Sequence, residues 1–210
     1  MQTTIRELFP FDHAQGLLGF CSSPASGALW RRQPPDPFHS FIDTLLVSKP
    51  VMERQEFAPD EVAQAVLSIC PASLHNHPCL AGWLQDIEAL CSAFCQELGD
   101  SKCLVHLDTD RPCQRFHADN LLIRLVCAYR GPGTLWLAND NIRHDQVETR
   151  GTSNEDIVIR PEDIQQLNEW DVLVMKGRMA QGKPLYHRSP PPQVGDPASL
   201  LLKLDQAGRF

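Results

Sequence analysis

At 210 residues the chain is long enough for one well-buried core. Its 42% hydrophobic and 21% charged residues, free of long acidic or basic blocks, exclude a disordered chain. The formal net charge of -7 argues against nucleic acid as a partner, because affinity for a phosphate backbone comes from clustered Lys and Arg. No apolar run reaches the ~20 residues that span a bilayer, and Glu7, Asp12 and His13 interrupt the stretch where an export signal needs unbroken apolar residues; a cytoplasmic protein with no membrane partner is expected.

The first thirty or so residues read as an irregular entry ending in a short extended piece over 27–33, before a turn rich in proline at Pro34, Pro35 and Pro37. Over 37–47, Phe38, Phe41, Ile42, Leu45 and Leu46 fall at helical spacing and predict a short amphipathic helix, with a second over 60–69. The third helix is the clearest: after Pro78, Leu80, Leu84, Ile87, Cys91, Phe94 and Leu98 recur in steps of three and four until Gly99 supplies a stop. Beyond Gly99 the period changes. Short runs rich in Val, Ile, Leu and Tyr, set between Gly, Pro and Asp, predict strands over 102–108, 114–119, 122–129, 134–137, 157–160, 171–176, 185–188 and 199–205. Residues 139–156 are polar enough for a surface loop, and 161–167 suit one or two helical turns. Helices first and strands afterwards give an α+β fold, a single domain over 1–210. Its helical part runs to residue 100 and covers one face of a β sandwich or small barrel over 101–210. Eight cysteines spread through such elements, without an export signal, are expected to be free and mostly buried thiols.

The chemistry concentrates at Phe116-His117-Ala118-Asp119. Residues two apart on an extended chain point the same way, so the His117 imidazole and the Asp119 carboxylate can converge on one point. His187, in Leu185-Tyr186-His187-Arg188, lies on another predicted strand and supplies a third ligand; two histidines with one carboxylate make the facial triad that leaves positions open on iron. Cys113, four residues before His117, would turn the triad into a closed set suited to Zn(II), or is a small buried side chain. Cys70, His75, His77 and Cys79 fall in one interhelical loop and have zinc-ligand types at a spacing that fits no common finger, the alternative being a polar turn with core-facing cysteines. Arg124 stands among apolar neighbours on the strand after Asp119, where an Arg needs an anionic partner, either a ligand or Asp119 itself.

The order of these motifs, from the His117-x-Asp119 strand through the Gly131-Pro132-Gly133 hairpin and the strand ending at Gly177 to the distal His187, resembles the double-stranded β-helix of the iron and 2-oxoglutarate-dependent oxygenases, a cupin-like or jelly-roll-like fold. The resemblance covers roughly the last half of the chain. It implies that His117, Asp119 and His187 hold Fe(II) and leave sites for a 2-oxo acid and dioxygen. Those oxygenases carry an Arg or Lys about ten residues after the distal His to fork onto the far carboxylate of 2-oxoglutarate. Here that stretch reads Pro197-Ala198-Ser199, Lys203 comes sixteen residues after His187, and Arg124, Tyr129 and Arg188 are the other candidates to hold a co-substrate. The segment from Cys113 to Asp119, with Arg124-Leu125, Tyr129 to Thr134, Lys176-Gly177 and His187 to Pro190, also resembles a proteobacterial family of uncharacterised proteins of about this length, whose members often accompany genes of the zinc-limitation response.

Two functions are therefore expected in competition, with a metal-free cupin-like binding module as a third if His117 and Asp119 merely bond to each other. The first is an Fe(II) oxygenase with 2-oxoglutarate as co-substrate, Arg124, Arg188 or Lys203 holding it, and a small molecule or protein as substrate. The second is a zinc-binding protein that uses Cys113, His117, Asp119 and His187 without turnover.

Overall fold

The three helices form where the apolar spacing predicts them, in a computed structural model that describes residues 7–208. Residues 1–6 of the irregular entry lie outside the described residues. Two short strands, β1 (Leu8–Pro10) and β2 (Gly27–Trp30), lead to α1 (Phe38–Leu46), β3 (Met52–Phe57), α2 (Pro59–Ile69) and α3 (Pro78–Leu98). Pro59 and Pro78 each take the first helical position, where a missing N–H costs nothing. Glu61 reaches back to accept the Ala58 N–H at 2.9 Å, and Gly99 closes α3 at φ 68°, a conformation that a β-carbon would strain. Among the described residues no helix is long and apolar enough to cross a membrane.

The second half supplies β4 (Cys103–Asp108), β5 (Ile123–Arg130), β6 (Leu135–Leu137), the single-turn helices α4 (His144–Val147) and α5 (Asn154–Ile157), then β7 (Gln165–Gln166), β8 (Val172–Lys176), β9 (Tyr186–Arg188) and β10 (Leu200–Gln206). A seven-stranded sheet runs β1-β2-β8-β5-β10-β4-β3, and a three-stranded sheet runs β7-β6-β9. The small sheet gains a fourth member where His117 pairs with His187 in an isolated antiparallel bridge. Counting that segment as the second of eight from β4 to β10, the first, eighth, third and sixth share one sheet and the second, seventh, fourth and fifth share the other. This is the double-stranded β-helix, a jelly roll, carried on an α+β chain.

Period-two alternation divides the large sheet between two cores. Leu125, Cys127, Val174, Leu202 and Leu204 face the helices and pack with Phe41, Trp83, Ile87 and Phe94. Val126, Leu173, Met175 and Leu201 face the interior of the roll and meet Trp136 of the small sheet and Leu185, which precedes β9. The segment between β6 and β7 packs Ile142, Val147, Ile157 and Val158 onto the outer side of the small sheet, against Phe116 and Tyr186.

Besides β1 in the expected irregular entry, β7 in place of expected helical turns, and α4 and α5 within the expected loop, three departures have a clear local cause. β3 carries Glu53, Arg54, Gln55 and Glu56, all exposed; it is an edge strand whose charges protect an open edge, so no apolar alternation announces it. The expected strand over 114–119 survives only as the bridge at His117, because the Asn154 amide accepts the Phe116 N–H at 2.8 Å and donates to the Gln114 carbonyl at 2.9 Å, replacing the strand partner. Over 157–160, Ser153 caps a helical turn that ends at Ile157, and Val158 retains one bridge to Ile142.

Tyr129 belongs to the helix–sheet layer. It is fully buried, facing the helices, and its hydroxyl donates to Asp86 of α3 at 2.6 Å, so the expectation that it holds a co-substrate is corrected. Asp86 also receives the Arg32 guanidinium, which lies between the Trp30 and Trp170 rings at 4.8 and 5.4 Å. Tyr129→Phe should cost about 1–3 kcal/mol in urea unfolding by depriving Asp86 of a donor. Asp86→Ala should cost more, about 3–5 kcal/mol, because Arg32 is left buried without its carboxylate; equal costs for the two would contradict this account.

Candidate metal centre

His117 and His187 are 70 positions apart in the chain and exchange both backbone hydrogen bonds, His117 N–H to the His187 carbonyl at 3.0 Å and the reverse at 2.9 Å. Residues so paired carry their side chains on one face, and the two imidazole centroids stand 4.7 Å apart with their planes at 46°. Asp119, two residues beyond His117, joins them: Oδ1 is 3.5 Å from His117 Nε2 and Oδ2 is 3.4 Å from His187 Nε2. One ligand atom from each of the three lies within 4.8 Å of the other two, and no other such group of His, Cys, Asp and Glu occurs among the described residues.

The tautomers suit metal binding. Nδ1 of His117 donates to the Arg115 carbonyl at 2.8 Å and Nδ1 of His187 to the Leu185 carbonyl at 3.4 Å, so Nε2 is the nitrogen turned toward Asp119 in both rings, bearing a lone pair on neutral His187 and, on His117, a proton shared with Asp119 that an incoming metal would displace. Burial holds His187 neutral by pushing its pKa down from 6.5 to about 4. Burial opposes charge on His117 too, but its bond to Asp119 outweighs that and raises its pKa. Asp119 is also desolvated, yet both histidines and Arg124 hold its carboxyl well below the usual range, so it is ionised. Its Oδ2 is buried and accepts no well-aligned hydrogen bond; Arg124 Nη1 lies 2.9 Å away as a charge partner rather than a directed donor. Two imidazoles and one ionised carboxylate, converging from three residues, fit a divalent first-row metal with positions to spare.

Backbone and side chain both fix this geometry. The turn after β8 grips the Asp119 loop: Gly177 N–H donates to the Leu122 carbonyl at 2.8 Å, Arg178 N–H to the Asp119 carbonyl at 2.8 Å and Met179 N–H to the Leu121 carbonyl at 3.1 Å. On the other side the Arg115 guanidinium donates to the carbonyls of Val147, Thr149 and Thr152, each at 2.9 Å, tying the segment between β6 and β7 to the His117 strand. The triad opens into a cavity of about 90 Å³ whose wall includes Val126, Thr134, Leu201 and Lys203. At ~10–15 Å³ per water this is room for several waters or one small ligand. Lys203 donates to Asp108 at 2.9 Å.

Several expected site residues stand elsewhere. Cys113 is exposed on the cavity rim and its sulfur is not in the converging group, so a Cys113-completed zinc set is corrected. Arg188 follows His187 on β9 and contributes to the cavity wall, but its guanidinium is drawn away, 5.0 Å over the Phe116 ring and bonded to the Gln114 carbonyl at 3.3 Å, so its expected role of holding a co-substrate is corrected. Arg124 does line the cavity, but its fork is taken by Asp205 at 2.6 and 2.8 Å, so it has no free edge for a co-substrate. In the interhelical loop, His77 caps α3 by accepting the Cys79 N–H, His75 Nε2 contacts the Cys70 carbonyl at 3.2 Å, and both cysteines are buried; these four form no metal group. Asp108 and Asp205 are site residues that no sequence motif marks; the period of two from Lys203 to Asp205 is a signal, but strand register is needed to use it.

Among curated proteins none matches this sequence. The family model described as "Protein of unknown function (DUF1826)" matches residues 12–205. The chain belongs to the DUF1826 family. Solved structures similar to this DUF1826 protein include the 2-oxoglutarate complex of dioxygenase for auxin oxidation 1 from Arabidopsis thaliana, at 6% identity over 97% of this chain and 92% of that one, TM-score 0.46. A full-length Neurospora crassa protein in complex with alpha-KG is similar at 13% identity over 92% and 77%, TM-score 0.42. The non-heme alpha ketoglutarate dependent epimerase SnoN from nogalamycin biosynthesis is similar at 11% over 92% and 84%, TM-score 0.42.

A β-carbon at Gly177 would lie 2.2 Å from the Leu121 carbonyl oxygen and 2.7 Å from that of Asp119. Gly177→Ala should therefore displace the Asp119 loop, costing about 1–3 kcal/mol on chemical unfolding and weakening divalent-metal binding in parallel. Wild-type affinity in a folded Gly177→Ala protein would show that the close approach is immaterial. The depressed pKa of His187 also sets a pH dependence in metal-free protein. The unfolded chain takes up a proton near pH 6.5 that folded His187 refuses until about pH 4, so its contribution is complete above 6.5 and is lost as pH falls through that window. Wild type should lose stability relative to His187→Gln between pH 6.5 and 4, read as the difference between their urea midpoints; parallel profiles would contradict the assignment.

Proposed function

We propose that this protein is an Fe(II)-dependent oxygenase that takes a 2-oxo acid, with 2-oxoglutarate as the first candidate, as co-substrate. The observation that carries the proposal is the convergence of His117 Nε2, His187 Nε2 and the Asp119 carboxylate on a cavity that also presents the Lys203 ammonium. His117, Asp119 and His187 would hold the ion, and ferrous iron bound there would supply the redox chemistry of dioxygen. A nitrogen and oxygen donor set without thiolate favours this reading over stored zinc, whose closed site would need a fourth protein ligand.

The protein's own groups have separable tasks. Lys203 has three donors and gives one to Asp108, so it retains capacity for the far carboxylate of a 2-oxo acid. Thr134 lines the same cavity and offers a hydroxyl beside it. Val126 and Leu201 form an apolar wall that limits water, which strengthens charge-assisted bonds to a bound anion. The rim at Pro112 and Cys113 gives a substrate access from the exposed side.

Anaerobic titration of tag-free protein with Fe(II), followed by 2-oxoglutarate under visible absorption, tests this. One Fe(II) per chain is expected, lost in His117→Ala, Asp119→Ala and His187→Ala but retained in Cys113→Ala. A charge-transfer band should appear on adding 2-oxoglutarate. Lys203→Ala should keep the metal and weaken 2-oxoglutarate tenfold or more, equivalent to about 1.4 kcal/mol. Tight Zn(II) binding that depends on Cys113, or no stoichiometric metal at all, would sink the proposal.

A further inference from the structure

We propose that Arg124, anchored by Asp205, is a positioning residue whose charge, held 2.9 Å from one oxygen of Asp119, draws that oxygen away from a metal ion and leaves the other to bind it. This rests on the metal-binding reading above and adds a role for groups outside the triad.

Arg124 on β5 and Asp205 on β10 are direct cross-strand partners, which places both side chains on the interior face of the roll. Arg124 Nε and Nη2 donate to the two oxygens of Asp205 at 2.6 and 2.8 Å, a bidentate fork that leaves one choice of direction for the third nitrogen. That nitrogen, Nη1, stands 2.9 Å from Asp119 Oδ2. Arg54 of β3 approaches Asp205 Oδ2 from the sheet edge at 3.1 Å. The side chains of Arg124 and Asp205 are 21% and 5% exposed, so solvent screens their charges little. Two carboxylates and two guanidiniums alternate in this array, and removing Arg124 would leave Asp205 to Arg54 alone and Asp119 with no guanidinium beside it.

The consequence is a matter of coordination positions. A carboxylate that chelates through both oxygens takes two sites on a six-coordinate ion and, with two imidazoles, leaves two. One that binds through a single oxygen leaves three, which a bidentate 2-oxo acid and dioxygen together require. With Arg124 on Oδ2, Asp119 is held to the second arrangement by charge that is already in place before any metal arrives.

Water-proton relaxation of the Mn(II)-loaded protein counts the exchangeable waters on the ion without requiring activity. Wild type should show three. Arg124→Gln and Asp205→Asn should each show one fewer, and Arg124→Lys, which keeps the charge but cannot fork onto Asp205 while reaching Asp119, should fall short of wild type. If Arg124→Gln does not fold, as judged by circular dichroism, Asp205→Asn decides the matter alone, since it preserves shape. A wild-type count in folded, Mn(II)-bound Asp205→Asn overturns the positioning role and leaves the metal reading standing. Failure of the wild type itself to bind Mn(II) overturns both.

Discussion

The reciprocal pair of hydrogen bonds between His117 and His187 is the constraint on which the site depends. Among the described residues it is the one bridge that makes the His117 segment a member of the small sheet, and it brings together two residues separated by most of the jelly roll. Had register slipped by one residue on either side, an imidazole would turn outward, since successive strand residues face opposite ways. Arg188 shows what that looks like: one position along from His187, its guanidinium lies over Phe116.

A single bridge is a weak device for holding three ligands, and the rest of the structure reinforces it from three directions. Asn154 replaces the missing strand neighbour, Arg115 gathers carbonyls of the segment between β6 and β7, and the turn at Gly177 holds the Asp119 loop by its backbone. None of these groups meets the cavity. They convert an irregular piece of chain into a rigid one, and ligand atoms supported in this way lose less entropy on capturing an ion than ligands on a free loop would.

Much of this is legible in the sequence and some is not. The apolar spacing of Leu80, Ile87, Cys91 and Phe94 marks α3 because a helix buried on one face must repeat every three or four residues. The His117-x-Asp119 spacing marks the triad because an extended chain repeats every two. The edge strand β3 escapes because an exposed edge is selected for charge, which erases the alternation that reveals buried strands. Tyr129 misleads for the complementary reason: on a strand buried on both faces, nothing local says which side a residue takes, and it takes the helical side with Asp86. Cys113 lies close in sequence to His117, yet φ 63° at that residue turns the chain at the rim and leaves the thiol exposed.

The position of Lys203 carries the same lesson into the chemistry. Counting from His187, no base falls about ten residues on, because residues 189–199 form a connection containing Pro190, Pro191, Pro192, Gly195 and Pro197 before β10 begins at Leu200. Loop length alters the count along the chain but not the register across the sheet. Lys203 pairs opposite Val126 on β5 and His106 on β4, and Val126 faces the interior of the roll, so the ammonium reaches the same cavity as the triad by a longer path through the sequence. Asp108, diagonal to it on β4, then holds that ammonium against the wall, as Asp205 holds Arg124. The two interior cations of the cavity are each neutralised by an interior acid before any ligand binds, so of the two charges a divalent ion would add, Asp119 balances one and an incoming anion meets the remainder.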